Sequence, residues 1–225
     1  MKNEREREVK GYNSIYNKFI KRVFDILITG IALLIIWPLY LILAVAVVIE
    51  DGFPVFYRAD RGGYKNKLFK ICKFRTMVKN ADKIGGGTTA LNDPRITKVG
   101  NILRKTKLDE IPQLGQVFIG KMSLIGPRPE LLRYTDQYEG EEKDILKVRP
   151  GITDFSSVEF INLDEIVGGE NADEMYEKYV LKKKNALRLK YAHEVSFGTD
   201  VYILFKTLGA VFHKAFGFLF KNEHR

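Results

Sequence analysis

The sequence has one cysteine, Cys72, among 225 residues. A single thiol excludes an intramolecular disulfide framework and fits a reducing compartment. Histidine is scarce as well: His193, His213 and His224 all lie near the C-terminus. A thiol nucleophile would lack a nearby imidazole, so Cys72 reads as buried filler. No internal repeat is present. Acidic residues are rare in one segment: residues 52–108 carry 14 Lys/Arg against 3 Asp, whereas residues 109–225 carry 16 against 19. The net charge of +9 is therefore local, and such a patch attracts polyanions: nucleic acid, anionic lipid head groups or a nucleotide-type substrate.

What the sequence does have is one long apolar run. Ile26 to Ile49 is 24 residues without a charge, reaching roughly 36 Å as a helix against about 30 Å of hydrocarbon. Two features argue against simple crossing. Pro38 sits at its centre, where a helix loses a hydrogen bond and meets a steric clash. Both flanks are basic: Lys18, Lys21 and Arg22 before, Arg58, Arg61, Lys65 and Lys67 after. Neither is then a good candidate for translocation. The expectation is a polar tail over residues 1–11, then residues 12–50 as an amphipathic helix leading into a re-entrant membrane helix broken at Pro38. Residues 51–225 form one domain of ordinary size.

Beyond Gly52 the signals turn to β. Val55-Phe56-Tyr57 and Leu68 to Phe74 read as strands around an Arg61-Gly62-Gly63 turn. The Gly85-Gly86-Gly87-Thr88-Thr89 stretch lacks the features of a phosphate loop and reads as a plain loop. Asp93-Pro94 reads as the opening of a helix. A second helix starts near Asp109, with Ile111, Leu114, Val117 and Phe118 as its buried stripe, and stops at Gly120. Residues 171–193 read as a charged structural helix. The last helix, from about Thr199 to Phe220, has few charges and suits a membrane interface.

The chemistry centres on Asp109-Glu110, between Arg104, Lys105 and Lys107 upstream and the Pro127-Arg128-Pro129 turn downstream. Adjacent carboxylates among cations suit a site that holds a divalent metal with a phosphorylated substrate. The same pair also suits an ordinary helix start.

Eight motifs occur in order: KRVFD (Lys21 to Asp25), the central Pro38, KFRTM (Lys73 to Met77), DPRIT (Asp93 to Thr97), LRKTKLDEIPQL (Leu103 to Leu114), MSLIGPRP (Met122 to Pro129), RPGIT (Arg149 to Thr153) and DVYILFKT (Asp200 to Thr207). With them the chain resembles the bacterial sugar transferases, monotopic polyprenyl-phosphate phosphoglycosyl transferases that initiate glycan assembly. The resemblance implies an α+β fold: a re-entrant helix-break-helix attached to a small mixed α/β cytoplasmic domain with interfacial amphipathic helices, at the cytoplasmic leaflet of the bacterial inner membrane. It implies transfer of a phosphosugar from a UDP-sugar to polyprenyl (undecaprenyl) phosphate, releasing UMP, as the first membrane step of exopolysaccharide, O-antigen or glycoprotein glycan synthesis. Mg2+ is the implied cofactor, held at Asp109 and Glu110, and Asp109 is the implied nucleophile of a covalent phosphosugar intermediate. Glu110 is left between metal binding and proton transfer.

Arg104 is the candidate for the lipid phosphate, and Lys73, Arg75, Arg95 and Arg128 are candidates for the nucleotide diphosphate. Asp200 matches a late aspartate of the family without an assigned role. Downstream glycosyltransferases are the implied partners, with homo-oligomerisation left open. The chain departs from the family pattern at Phe53, Ala59, Lys107 and Asp154, where a Gly-Pro pair's glycine, glutamine, serine and glycine are expected. Three competing readings are a non-catalytic scaffold for anionic lipid, a membrane-tethered nucleic-acid binder, which no recognised module supports, and direct transfer without a covalent step.

Overall fold

The computed structural model describes residues 11–81, 89, 93–168 and 171–221. The expected polar tail, apart from Gly11, and the Gly85-Gly86-Gly87-Thr88 loop lie outside the described residues. A short π-type turn, Tyr16–Ile20, leads into α1 (Lys21–Asp51). Helical backbone continues through Pro38, so the expected separation into two helices is corrected to one continuous element. The residues around Pro38 are Ile35, Ile36, Trp37, Leu39, Tyr40 and Leu41, with no terminating Gly or Asn, so the missing hydrogen bond does not end the helix.

Both ends of α1 dock on the same domain. Near its start, the Arg22 guanidinium donates to the carbonyls of Val117 at 2.5 Å and Phe118 at 2.7 Å, and Asp25 Oδ1 accepts from Leu124 N at 3.0 Å. Near its end, Val47 is buried with Phe74 and Leu103, and the Glu50 carboxylate accepts from Lys98 N at 2.7 Å and Val99 N at 2.9 Å. Between these anchors Ile31, Leu34, Ile35 and Trp37 are 60–77% exposed. An apolar surface of that size requires a non-aqueous neighbour.

The hairpin β1 (Phe56–Gly62) and β2 (Leu68–Phe74) pairs antiparallel with Phe56 opposite Phe74 and Gly62 opposite Leu68. Its turn is Gly63 to Lys67, later than expected, because Lys65 and Asn66 take the left-handed conformation at φ 57° and 54°. Arg61 and Gly62 therefore remain in the strand. The next helix, α2 (Lys98–Lys105), also starts later than the sequence suggests. Thr97 is its N-cap, its Oγ1 accepting from Gly100 N at 3.0 Å, while Glu50 satisfies two further free N–H groups of that turn. Asp93 instead binds Arg95.

Residues Leu108–Glu110 form a 3-10 turn, followed by α3 (Gln113–Phe118). Gly120 ends it at φ +87°. The stripe differs from expectation: Gln113, Gln116 and Val117 are buried and Phe118 is exposed. Gln116 points inward because it completes the β2 backbone, accepting from Cys72 N at 2.8 Å and donating to Lys70 O at 2.6 Å.

A second two-stranded sheet pairs β3 (Ser123–Ile125) parallel with β4 (Gly151–Thr153). Asp154 then caps α4 (Phe155–Glu159), accepting from Ser157 N at 2.7 Å. The charged helix expected over 171–193 is present as a helical arm, Ala172–Met175, Tyr176–Leu181 and α5 (Lys182–Glu194). It is followed by α6 (Phe197–Lys221). Ile203 of α6 is buried with Tyr191 and Val195, whereas Phe205, Leu208 and Phe212 face outward. Phe197 meets Phe24 of α1, ring centroids 5.6 Å apart. The fold is mixed α and β, with small sheets on helical supports and one long apolar helix.

Candidate active site

The turn that carries Asp109 and Glu110 begins at Lys107, whose left-handed backbone (φ 60°) reverses the chain after α2. Leu108 and Ile111 on either side pack into the cluster formed by Val47, Phe74 and Leu103. The carboxylate pair is thus mounted on the shared core of α1, the hairpin and α2.

From β2, Lys73 Nζ lies 2.8 Å from Glu110 Oε1 and 3.8 Å from Asp109 Oδ2. From the Pro127–Pro129 turn, Arg128 forks onto Glu110, with one guanidinium nitrogen 3.0 Å from Oε2 and the other bonded to Oε1. The same side chain donates to Ile152 O at 2.8 Å, and its backbone N–H to Asp154 Oδ2 at 3.2 Å. A fork onto a carboxylate fixes the guanidinium plane as well as its position.

The two carboxylates differ. Burial alone would raise Glu110, but Arg128 and then Lys73 outweigh it and hold the group well below the usual range. Asp109 is pushed up, first by burial, which Lys73 offsets only in part, and then by the adjacent Glu110. Its Oδ1 is buried and has no protein hydrogen-bond partner. Burial lowers Lys107 and Arg61, two cations for which no carboxylate lies within ion-pair distance among the described residues. Lys107 acts electrostatically on both carboxylates, whereas Arg61 lies towards Glu130 and Arg128.

The structure brings together Lys73, Asp109, Glu110 and Arg128. Arg104, at the end of α2, flanks them: its guanidinium reaches Thr76 Oγ1 at 3.5 Å and acts electrostatically on Asp109. Three other candidates make their contacts elsewhere. Arg75 binds the end of α1, donating to Asp51 O at 3.0 Å and Gly52 O at 2.5 Å and pairing with Asp51 Oδ2 at 3.1 Å. Arg95 forks onto Asp93, at 2.9 and 2.6 Å, and donates to Ala81 O. Asp200 is buried against Lys21, with Tyr16 and Tyr191 hydroxyls each at 2.7 Å, where it fastens α6 to α1. Asp154 was visible in the sequence only as a departure from the family pattern; its spacing to Ser157 is the signal of a helix cap.

Among the described residues no three His, Cys, Asp or Glu side chains are grouped for a metal. Mg2+ commonly uses one or two carboxylates, with substrate phosphates and water completing its shell. Asp109 Oδ1 fits such a role. Both Glu110 oxygens are engaged by cations, so Glu110 fits as a second ligand only if Lys73 or Arg128 yields.

An acidic pair fixed among cations thus lies beside an apolar helix docked at both ends. The chain belongs to the bacterial sugar transferase family, whose model matches residues 16–214. It is 37% identical over 196 residues to the UDP-glucose:undecaprenyl-phosphate glucose-1-phosphate transferase of Escherichia coli (strain K12), covering 85% of this chain and 40% of the relative. It is 36% identical over 202 residues to the UDP-N-acetylgalactosamine-undecaprenyl-phosphate N-acetylgalactosaminephosphotransferase of Aeromonas hydrophila, covering 86% and 44%. It is 35% identical over 206 residues to the exopolysaccharide production protein ExoY of Rhizobium meliloti (strain 1021), covering 85% and 84%. The chain spans less than half the length of the first two relatives.

Proposed function

We propose that this protein is a phosphoglycosyl transferase that moves a phosphosugar from a UDP-sugar to undecaprenyl phosphate and releases UMP, beginning the assembly of a bacterial surface glycan. The observation that carries this reading is the division of labour in the acidic pair. Glu110 is neutralised and held by Lys73 and Arg128, while Asp109 keeps an oxygen free of protein partners. A carboxylate held in place without a hydrogen bond to one oxygen is suited to nucleophilic attack.

In the first step an Asp109 oxygen bonds the phosphorus that carries the sugar. The phosphoanhydride bond to UMP breaks, and its electron pair leaves on UMP. In the second step an oxygen of the lipid phosphate bonds the same phosphorus and the Asp109 carboxylate departs. Lys73 and Arg128, already oriented, neutralise charge on the diphosphate without reorganising. Asp109 would be the residue to hold Mg2+, which would supply further neutralisation of phosphate charge. Arg104 receives the lipid phosphate from the side on which α2 meets α1.

The membrane arrangement follows from α1. Its two ends are fastened to one domain and its middle is apolar and exposed. A helix that crossed the bilayer would carry its ends about 30 Å apart across hydrocarbon, on opposite sides. We therefore read α1 as a continuous helix that bends at Pro38 and so enters and leaves the cytoplasmic leaflet, with the exposed face of α6 at the same interface.

The test is intact-protein mass after brief incubation of nanodisc-held protein with Mg2+ and a panel of UDP-sugars, without lipid acceptor. One added phosphosugar, lost in Asp109→Asn, is the expected result. UMP release only after addition of undecaprenyl phosphate, with no adduct, would replace the covalent route by direct transfer. UMP under neither condition with any donor would overturn the transferase reading.

A further inference from the structure

Arg128 stands on a turn, Pro127 to Glu130, that is fastened from three directions. On the first side, Pro127 O accepts from Gly151 N at 3.0 Å. The strands are so close there that a Cβ on Gly151 would sit 2.1 Å from Gly126 N. On the second, the hairpin donates through Gly62 N to Glu130 O at 3.0 Å. The third fastening comes from the helical arm, residues 172–194. Arg188 is 1% exposed, and its guanidinium lies 2.8 Å from Glu130 Oε2. Tyr176 donates its hydroxyl to the same oxygen. Arg188 is in turn held by Asn185 Oδ1 at 3.0 Å, which also accepts from Tyr138 at 3.3 Å.

A buried ion pair is weak evidence of stability, because desolvation of both charges offsets their attraction. Such a pair is better explained by what it orients. Glu130 is two residues from Arg128, and the prolines at 127 and 129 transmit its position, since each fixes its own φ.

We propose that the arm residues Arg188 and Tyr176, acting through Glu130, are positioning residues for Arg128 and thereby for the diphosphate of the donor. Neither touches the reacting atoms. Their effect is to hold the Arg128 fork where it meets both Glu110 and the substrate. The kinetic consequence rests on the transferase reading above; the structural consequence does not.

The experiment uses full-length protein in nanodiscs with Arg188→Lys, which keeps the charge and loses the fork, and Tyr176→Phe, which keeps the packing and loses one hydrogen bond. Each is combined with Arg128→Lys. Displacing a substrate-positioning group by a fraction of an ångström is expected to lower kcat/KM for the UDP-sugar by about tenfold in Arg188→Lys and about threefold in Tyr176→Phe. In the Arg128→Lys background both losses are expected to fall below about twofold, because the fork they orient has gone. Full multiplicative losses in that background, or unchanged kinetics in both folded single variants, would overturn the proposal.

A second readout is the guanidinium Nε–Hε NMR signal of Arg128, assigned by its loss in Arg128→Lys. It is expected to shift or broaden in Tyr176→Phe, and an unmoved signal there would also overturn the proposal. If wild-type protein releases no UMP from any donor, the transferase reading fails and this signal still decides the positioning claim. If Arg188→Lys does not fold, Tyr176→Phe alone decides both readouts.

Discussion

Asp109 and Glu110 are neighbours in sequence and opposite in circumstance. Glu110 is engaged by two cations, whereas Asp109 is buried with one oxygen unbound. Replacing Glu110 with Gln removes the charge that orders Arg128 and Lys73, leaving Arg128 without its carboxylate and Lys73 with only the longer contact to Asp109. Its kcat is expected to fall on the order of 100-fold, as for loss of one preorganised electrostatic contact, with Asp109 still able to form an adduct in the mass assay. An unaltered kcat would mean that the clamp has no part in turnover.

A different conflict arises at Lys184, which is buried against the Tyr176 ring, its ammonium 5.1 Å from the centroid. Burial first, and then Arg188, pulls its pKa from 10.5 down to about 7. Between pH 7 and 10.5 the unfolded chain binds a proton that the folded chain does not. Stability therefore rises with pH across that window, and the full cost of charging the buried amine applies below pH 7. Lys184→Met is expected to raise Tm by several degrees at pH 6–7, with the gain shrinking towards pH 10 in thermal melts. A gain independent of pH would place the cause elsewhere.

At the scale of elements, the join between α1 and α2 decides where the site sits. Glu50 caps the first turn of α2, and the other end of α2 leads directly to the left-handed Lys107 and the acidic turn. Glu50→Ala is expected to cost about 1 kcal/mol, the usual value for a lost cap, read as a lower denaturation midpoint. No change would show that water replaces the carboxylate without loss.

The elements also show which parts of the architecture could be read from sequence. The hairpin, the arm and the last helix have strong local patterns, period two or a long helical stretch, and these depend little on distant partners. The acidic pair and Arg128 were legible because their motif packs so much chemistry into a short stretch. Arg75 and Arg95 were indistinguishable from Lys73 by charge and spacing. Their partners, Asp51 and Asp93, are set by how α1 ends and by a turn of the chain. Asp200 is of the same kind, since Lys21 reaches it across 179 positions of sequence. The late start of α2 had a similar origin: the local signal at Asp93-Pro94 is overridden because Asp93 binds Arg95, while Thr97 and, from outside the segment, Glu50 cap the first turn.

For the molecule as a whole, α1 carries a topological prediction. Ser14 precedes it and Tyr57 follows it, and both belong to the side on which the domain lies. With Cys72 replaced by Ala, single cysteines at these two positions are expected to react with a membrane-impermeant maleimide only after cells are opened. Reaction of one site in intact cells would show that α1 crosses the bilayer.

Tyr40, Leu43, Ala44 and Val47 of α1 form one apolar cluster with Leu108 and Ile111, the residues on either side of the acidic pair. The long apolar helix is thus a wall of the acidic site, not a mooring line tied to it. Cutting the chain after Asp51 would open that wall and leave Leu108 and Ile111 without their α1 partners.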